Sequence, residues 1–445
     1  MTSIALIVLD TVRKDAFNEY FNWLPGIRFE NAWSPTAWTT PVHAALFGGF
    51  YPSELGVYAK AESLDCDQTV LAELLSNVGY QTRAFSANAN VSSAFKFDRG
   101  FETFRHSWRA EKHDNDIFDW GEFISVTQNQ GPSRFLQAIY ECIVNDVDTI
   151  DSLNYGLKMK ARDMGIESIS GTDDGAKLAL NYVRETDFGD DEFFFANLME
   201  AHGPYDPPTE YQAGEYTASP NIDDTIGDGP NESPETIRNA YDDCVRYLSD
   251  VYQDIFTELS EDFDYVITLS DHGELFGTDG VWAHNHGIYP GLVHVPLSIY
   301  TGQDSTTYNE TLVSLLDVHR TILDIAGIDA PSRGHNLLDD PPSRDLLVER
   351  HGLRTNRIKQ MKKKDYDDSI IKRYDQDLYG VVLPEGNYTY ETLDGYTYNG
   401  DFEDSMDPRA RLKDLRSELN KKTVSFDDET IPKDVQERLE DLGYA

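Results

Sequence analysis

Short, almost wholly apolar runs recur along this chain and constrain its fold more than any other feature: residues 4–9, 82–86, 193–198, 265–269 and 295–300. Rich in β-branched and aromatic residues, they read as buried strands. Stretches with helical spacing of apolar residues lie between them, at 68–78, 176–184, 234–259 and 310–326. The third opens on Ser233-Pro234-Glu235, a Ser N-cap followed by Pro at the first helical position. Strands alternating with helices predict an α/β protein, a three-layer sandwich around a mostly parallel central sheet. In such sheets chemistry gathers at the carboxyl ends of the strands. That rule singles out the residues just after each run: Asp10, Asn88 and Asn90, Glu200 and His202, Asp271 and His272.

The alternation spans residues 1–340, read as the main domain, with two interruptions. Residues 106–170 are mixed and weakly helical (135–144, 153–164) and read as a helical insertion covering one side of the core. Residues 209–233, polar, acidic and rich in Gly and Pro, read as a surface loop. Beyond, the strand-like runs 378–383 and 388–393 flank Pro384-Glu385-Gly386-Asn387, which has turn chemistry. A hairpin within a small antiparallel C-terminal subdomain, 341–445, is expected, with a final helix at 432–442.

Charge decides which partners are excluded. With 79 Asp and Glu against 38 Lys and Arg, the net charge is −41. Nucleic acid and anionic lipid surfaces both require the opposite sign. No run of 18 apolar residues exists, so no membrane span is expected. The acidic residues are dispersed in blocks at 187–191, 223–228, 365–368, 401–404 and 427–429. Such dispersion resembles the proteins of salt-in halophiles, in which molar salt screens self-repulsion. Cys66, Cys142 and Cys244 are odd in number and far apart, so they form neither a disulfide framework nor a paired metal motif. The N-terminus lacks a basic region and a small-residue cleavage site, and a cytoplasmic location is expected.

Several residues carry chemistry. Asp10 directly follows the first apolar run and reads as a metal ligand or as a cap or turn residue. Ser270-Asp271-His272-Gly273-Glu274 offers an oxygen and an imidazole to a divalent cation; a capped turn with a satisfied His is the alternative. His284 and His286 lie close downstream and suggest a polar pocket, whereas His202 in Glu200-Ala201-His202-Gly203-Pro204 reads as a turn residue or a ligand. Thr39-Thr40-Pro41 reads as a helix start with hydroxyls at the cap, of an ordinary core helix or of a site. Its N–H groups and dipole favour an anion, and a hydroxyl there becomes a nucleophile if a metal lowers its pKa.

Taken in order, Leu9-Asp10-Thr11-Val12-Arg13, Thr39-Thr40-Pro41-Val42-His43-Ala44-Ala45-Leu46-Phe47-Gly48-Gly49, Asn197-Leu198-Met199-Glu200-Ala201-His202-Gly203-Pro204-Tyr205 and Ser270-Asp271-His272-Gly273-Glu274 resemble the sulfatase family of the alkaline phosphatase superfamily. The resemblance covers roughly residues 3–340. It implies one divalent metal ion (Ca²⁺, Mg²⁺ or Mn²⁺) on Asp10, Asp271 and His272, with Thr39 as nucleophile and metal-facing ligand. The substrate it implies is a small anionic ester of sulfate or phosphate, cleaved or transferred through a covalent Thr39 ester. His202 and His286, or His284 in place of His286, would bind the transferred oxygens or protonate the leaving group. His43, Asn88 and Glu200 are further candidates for substrate binding.

The chain departs from the sulfatase pattern where Cys or Ser-x-Pro-x-Arg usually stands, because Thr39 and His43 occupy those positions. Thr yields no aldehyde by the oxidation that makes formylglycine. A Thr nucleophile resembles instead the branch with phosphoglycerol and phosphoethanolamine transferases and phosphodiester-type hydrolases. A non-catalytic protein of the same fold that binds an anionic ligand or a partner is the alternative, and the intact set Asp10, Thr39, Asp271 and His272 argues against it.

Overall fold

The first apolar run forms strand β1 (Ile4–Leu9), buried along its whole length in the middle of an eight-stranded sheet. The computed structural model describes residues 2–107, 175–214, 220–339, 341–384, 386–400 and 407–424. The sheet also contains β2 (Gly26–Trp33), β3 (Gln81–Ser86), β4 (Thr103–His106), β5 (Glu192–Leu198) and β6 (Tyr265–Leu269). After the small ribbon of β7 (Phe276–Thr278) and β8 (Val281–Trp282), it is completed by β9 (Leu297–Tyr300) and β10 (Thr306–Ser314). The order is β10-β2-β9-β6-β1-β5-β3-β4. Strand β1 pairs in parallel with β5 and β6, β3 with β4 and β5, and β10 with β2; β9 alone runs against its neighbours.

Helices cover both faces. On β5, Phe194 meets Tyr182 of the helix Ala176–Glu185, and Phe195 meets Phe47 of the helix Thr39–Gly48. Successive strand side chains point to opposite faces, so these helices lie on opposite sides. The long helix Pro234–Asp262 packs with Ala176–Glu185 and Lys14–Tyr20, and Leu71–Asn77 and Leu316–Ile325 pack with Thr39–Gly48. The result is the expected α/β sandwich around a mostly parallel sheet.

The expected helix at 310–326 is shorter than its pattern. The stretch 310–326 begins as the end of β10, which pairs with β2 through Leu312–Ser314, and only Leu316–Ile325 is helical. Asp317 enforces the switch, since its Oδ2 accepts from Ser314 N at 2.8 Å. The region read as an acidic surface loop contains a one-turn helix, Ile222–Ile226, with Ile222 buried. The proposed insertion lies outside the described residues apart from its first two positions, as do the expected final helix and Cys142.

The C-terminal hairpin belongs to a four-stranded antiparallel sheet of β11 (Leu346–His351), β12 (Asp377–Val382), β13 (Tyr388–Thr392) and β14 (Gly395–Asn399). One face shares a core with the large sheet: Val348 and Tyr388 pack with Trp33, Leu292 and Leu312. This seats the end of β11 beside the carboxyl ends of the parallel strands. Among the described residues no helix is long and apolar enough to cross a membrane.

Candidate active site

The parallel strands β1, β3, β5 and β6 place their carboxyl ends along one edge. Past β1, Thr11 adopts φ 60°, a left-handed conformation that costs a β-branched residue about 1–3 kcal/mol. The turn is held by Thr11 Oγ1 donating to Asp10 O (2.7 Å) and by Tyr241 Oη, which donates to Thr11 O (3.0 Å) and accepts from Arg13 N (2.8 Å). This turn sets Asp10 beside the residues that follow β6.

Asp10, Asp271 and His272 are fully buried, and one ligand atom from each lies within 4.8 Å of the others. Asp10 Oδ2 accepts from Asn88 Nδ2 (2.8 Å) and Asn197 Nδ2 (3.3 Å). Asp271 Oδ1 accepts from the backbone N–H groups of His272 (2.9 Å) and Thr11 (3.3 Å). The remaining oxygens, Asp10 Oδ1 and Asp271 Oδ2, have no hydrogen-bond partner and lie 3.9 and 3.5 Å from His272 Nε2. His272 Nδ1–H donates to Gly273 O (2.9 Å), which leaves a lone pair on Nε2. Burial pushes both carboxyls up to about 7, and at Asp10 the Asp271 charge adds to it. Two orphaned carboxylate oxygens facing an imidazole lone pair fit a divalent cation, and without one they are costly to bury.

Thr39 opens the helix Thr39–Gly48, with its Oγ1 3.2 Å from His272 Nε2. The N-cap is therefore Trp38, and no side chain caps the helix. An anion can meet that end of the helix.

Beside this cluster opens a cleft lined by Thr39, His202, His284, Arg350, Arg354 and Arg357 among others. The His284 ring sits between those of His272 (4.5 Å between centroids) and His202 (5.0 Å). His284 Nδ1 is 3.1 Å from Glu274 Oε1, and Tyr205 Oη donates to Glu274 Oε2 at 3.0 Å. His202 Nδ1 donates to Gly203 O (2.7 Å), and burial holds its pKa down at about 3. Burial, with nearby His272 and the arginines, likewise pushes His284 well below the usual range.

Other candidates take different places. His43 is fully buried; Nδ1–H donates to Thr39 O (2.9 Å), Nε2 accepts from Asn197 (3.1 Å), and burial lowers its pKa to about 4. It ties the helix to β5 instead of lining the cleft. Asn88 steadies Asp10, and Asn90 lines the cleft in its stead. Glu200 is turned away, with Oε1 accepting from Ala176 N (2.7 Å) at a helix start. His286 is buried against Tyr374 (5.0 Å), so His284 is the ring that reaches the cleft. Sequence reasoning missed Glu274, Tyr205 and the arginines. Glu274 had a signal, two positions after His272; the arginines had only their spacing, 350, 354 and 357.

Comparison with known proteins agrees with this architecture. The sulfatase family model matches residues 18–328. The uncharacterized sulfatase YidJ of Escherichia coli (strain K12) is 20% identical over 351 residues, 73% of this chain. The match spans 66% of that relative's length, just short of two thirds. The phosphonate monoester hydrolase of Silicibacter pomeroyi shares the fold over 94% of each chain, with a TM-score of 0.60 at 16% identity. That of Agrobacterium radiobacter does so over 89% of this chain and 88% of its own, with a TM-score of 0.58 at 15% identity. On the extent of the family match, the chain belongs to the sulfatase family.

Proposed function

We propose that this protein hydrolyses or transfers a sulfate or phosphate ester, with Thr39 as the nucleophile. Asp10, Asp271, His272 and the Thr39 hydroxyl are the residues that would hold one divalent cation, Mg²⁺, Ca²⁺ or Mn²⁺. The observation carrying this reading is the placement of Thr39 Oγ1, 3.2 Å from His272 Nε2 and beside two carboxylates with unpartnered oxygens. Sulfatase family membership and the phosphonate monoester hydrolases of the same fold support the ester class.

Thr39 Oγ attacks sulfur or phosphorus as the bond to the leaving oxygen breaks, and water then cleaves the Thr39 ester. When bound, the cation lowers the proton affinity of the hydroxyl and offsets charge on the transferred oxygens. The hydroxyl proton needs an acceptor, and the departing oxygen needs a donor. Glu274 fixes the tautomer of His284 by accepting from Nδ1–H, which leaves Nε2 to take a proton and return it. His202 stands next to it in the same cleft. The uncapped N-terminus at Thr39 suits the transferred anion.

Residues 1–340 form the catalytic domain in this reading, and 341–445 the subdomain that supplies one wall of the cleft. The dispersed acidity supports a halophilic protein working in molar salt.

Parallel turnover of an aryl sulfate, a phosphate monoester, a phosphodiester and a phosphonate ester, in molar KCl with each divalent cation, identifies the ester. Thr39→Ala is expected to lower turnover by about 10³-fold or more. Mass spectrometry of the intact protein after substrate is expected to show a sulfo or phospho adduct on Thr39. Undiminished turnover by Thr39→Ala would sink the nucleophile assignment.

A further inference from the structure

The cleft holds positive charge that the catalytic cluster does not use. Arg350, near the end of β11, is 6% exposed, and donates to the carbonyl oxygens of Asn285 (2.6 Å) and His284 (3.4 Å). Arg357, in the helix Thr355–Lys363, donates to Asn285 Oδ1 (3.2 Å) and Gln360 Oε1 (3.1 Å). These bonds take two of the five N–H groups of each guanidinium, and the buried Arg350 Nε has no acceptor.

Among the described residues no carboxylate forms an ion pair with Arg350 or Arg357, in a chain with 79 acids and 38 bases. Arg354, between them, is paired with Glu62. Asp223, the acid that acts on Arg357, is engaged by Lys364 and by Tyr366 Oη. Burial pushes both guanidiniums down to about 10, and the Arg354 charge contributes at Arg357. Neutral oxygens accept from two N–H groups of each guanidinium and leave the charges uncompensated. Pinning the loop at His284 and Asn285 needs donors and does not need two cations. Both arginines line the same cleft as Thr39.

We propose that Arg350 and Arg357 form a second anion subsite, so that the preferred ester carries an additional oxyanion (carboxylate, sulfate or phosphate) on the part released. This rests on the ester reading above. The planar guanidinium fork suits any of these groups. The subsite also supplies attraction locally, where a net charge of −41 repels anions at a distance.

The test compares 4-carboxyphenyl and 4-carbamoylphenyl esters, as sulfates and as phosphates, with the metal-loaded full chain in molar KCl. Wild type is expected to favour the carboxylate by about tenfold in kcat/KM, the effect of one charge-assisted contact. Arg357→Gln brings that ratio towards one, and Arg357→Lys retains part of it. A purely structural arginine would lower both rates and leave the ratio unchanged. That result overturns the proposal, as does a wild-type ratio of one. Esters bearing 4-sulfo and 4-phosphono groups then rank the oxyanions.

Calorimetric titration with 4-hydroxybenzoate and 4-hydroxybenzamide decides the subsite without turnover. Tighter binding of the carboxylate, lost in Arg357→Gln, supports it; equal binding refutes it. If no ester is turned over while the benzoate preference holds, the ester reading fails and the subsite stands.

Discussion

Asp271 shows how the site trades stability for chemistry at the level of one residue. Its Oδ2 and Asp10 Oδ1 are buried side by side with no donor, so like charges face each other across a space shaped for a cation. Replacing one carboxylate with an amide keeps an oxygen for the N–H groups of Thr11 and His272 and removes the repulsion. In chelator at pH 8, Asp271→Asn is therefore expected to melt a few degrees above wild type. Added divalent cation is expected to raise the wild-type Tm and leave that of Asp271→Asn unchanged. Scanning calorimetry of both proteins with and without metal checks this; an equal metal-induced shift would contradict the ligand assignment.

Each element positions the site through its ends. The helix Thr39–Gly48 presents Thr39 at one end and stops at the other on Gly49, at φ 72°, where a Cβ would come within 2.4 Å of His319 Nδ1. Gly280 has a similar φ of 77° with nothing within 4 Å, so it reports the backbone cost alone. Gly280→Ala is expected to cost about 1 kcal/mol in urea denaturation, and Gly49→Ala at least twice that, with activity falling as the helix shifts. Strand β11 carries its own sensor, because His351 lies 3.2 Å from both Glu349 Oε2 and Asp377 Oδ2. Burial lowers the pKa of His351, but the neighbouring carboxylates of Asp377 and Glu349 outweigh it and lift it to about 9. A raised histidine pKa contributes stability that is complete below the unfolded value of about 6.5 and is lost as pH rises through 9. The stability gap between wild type and His351→Gln, on the order of 3 kcal/mol at pH 6, is expected to close by pH 10 in urea titrations at constant salt.

The same elements explain what was legible beforehand. Strands β1 and β6 are buried on both faces in the middle of the sheet, which leaves unbroken apolar runs in the sequence. Asp10 follows the first of these runs directly, and Asp271 and His272 follow the other after Ser270, so a strand end alone locates them. Strand β10, at the sheet edge, mixes exposed Tyr308 with buried Val313, and its pattern merged with the helix after it. His43 stands one turn beyond Thr39, but its ring points to β5, a direction that residue spacing does not convey. Arg350 and Arg357 reach the cleft only because a separate sheet docks on Trp33 and Leu292. No local pattern encodes that long-range packing.

At the scale of the whole molecule, a charge of −41 opposes both compactness and substrate approach, and salt sets how strongly. The Debye length falls from about 30 Å at 0.01 M to about 3 Å at 1 M. In dilute buffer each exposed carboxylate thus acts across much of the protein, whereas in molar salt it acts on its contacts alone. Stability and kcat/KM are expected to fall together as KCl is removed. A general effect of salt on apolar burial would also stabilise the fold, so a charge-reduced variant is needed to tell the two apart. Asp187, Asp190 and Glu261 are exposed, and replacing them with Asn, Asn and Gln removes three negative charges without touching the cleft. If long-range repulsion is the cause, the KCl midpoint for folding, followed by circular dichroism, moves to lower salt in this variant. An unchanged midpoint would assign the salt requirement to burial or to specific ion binding.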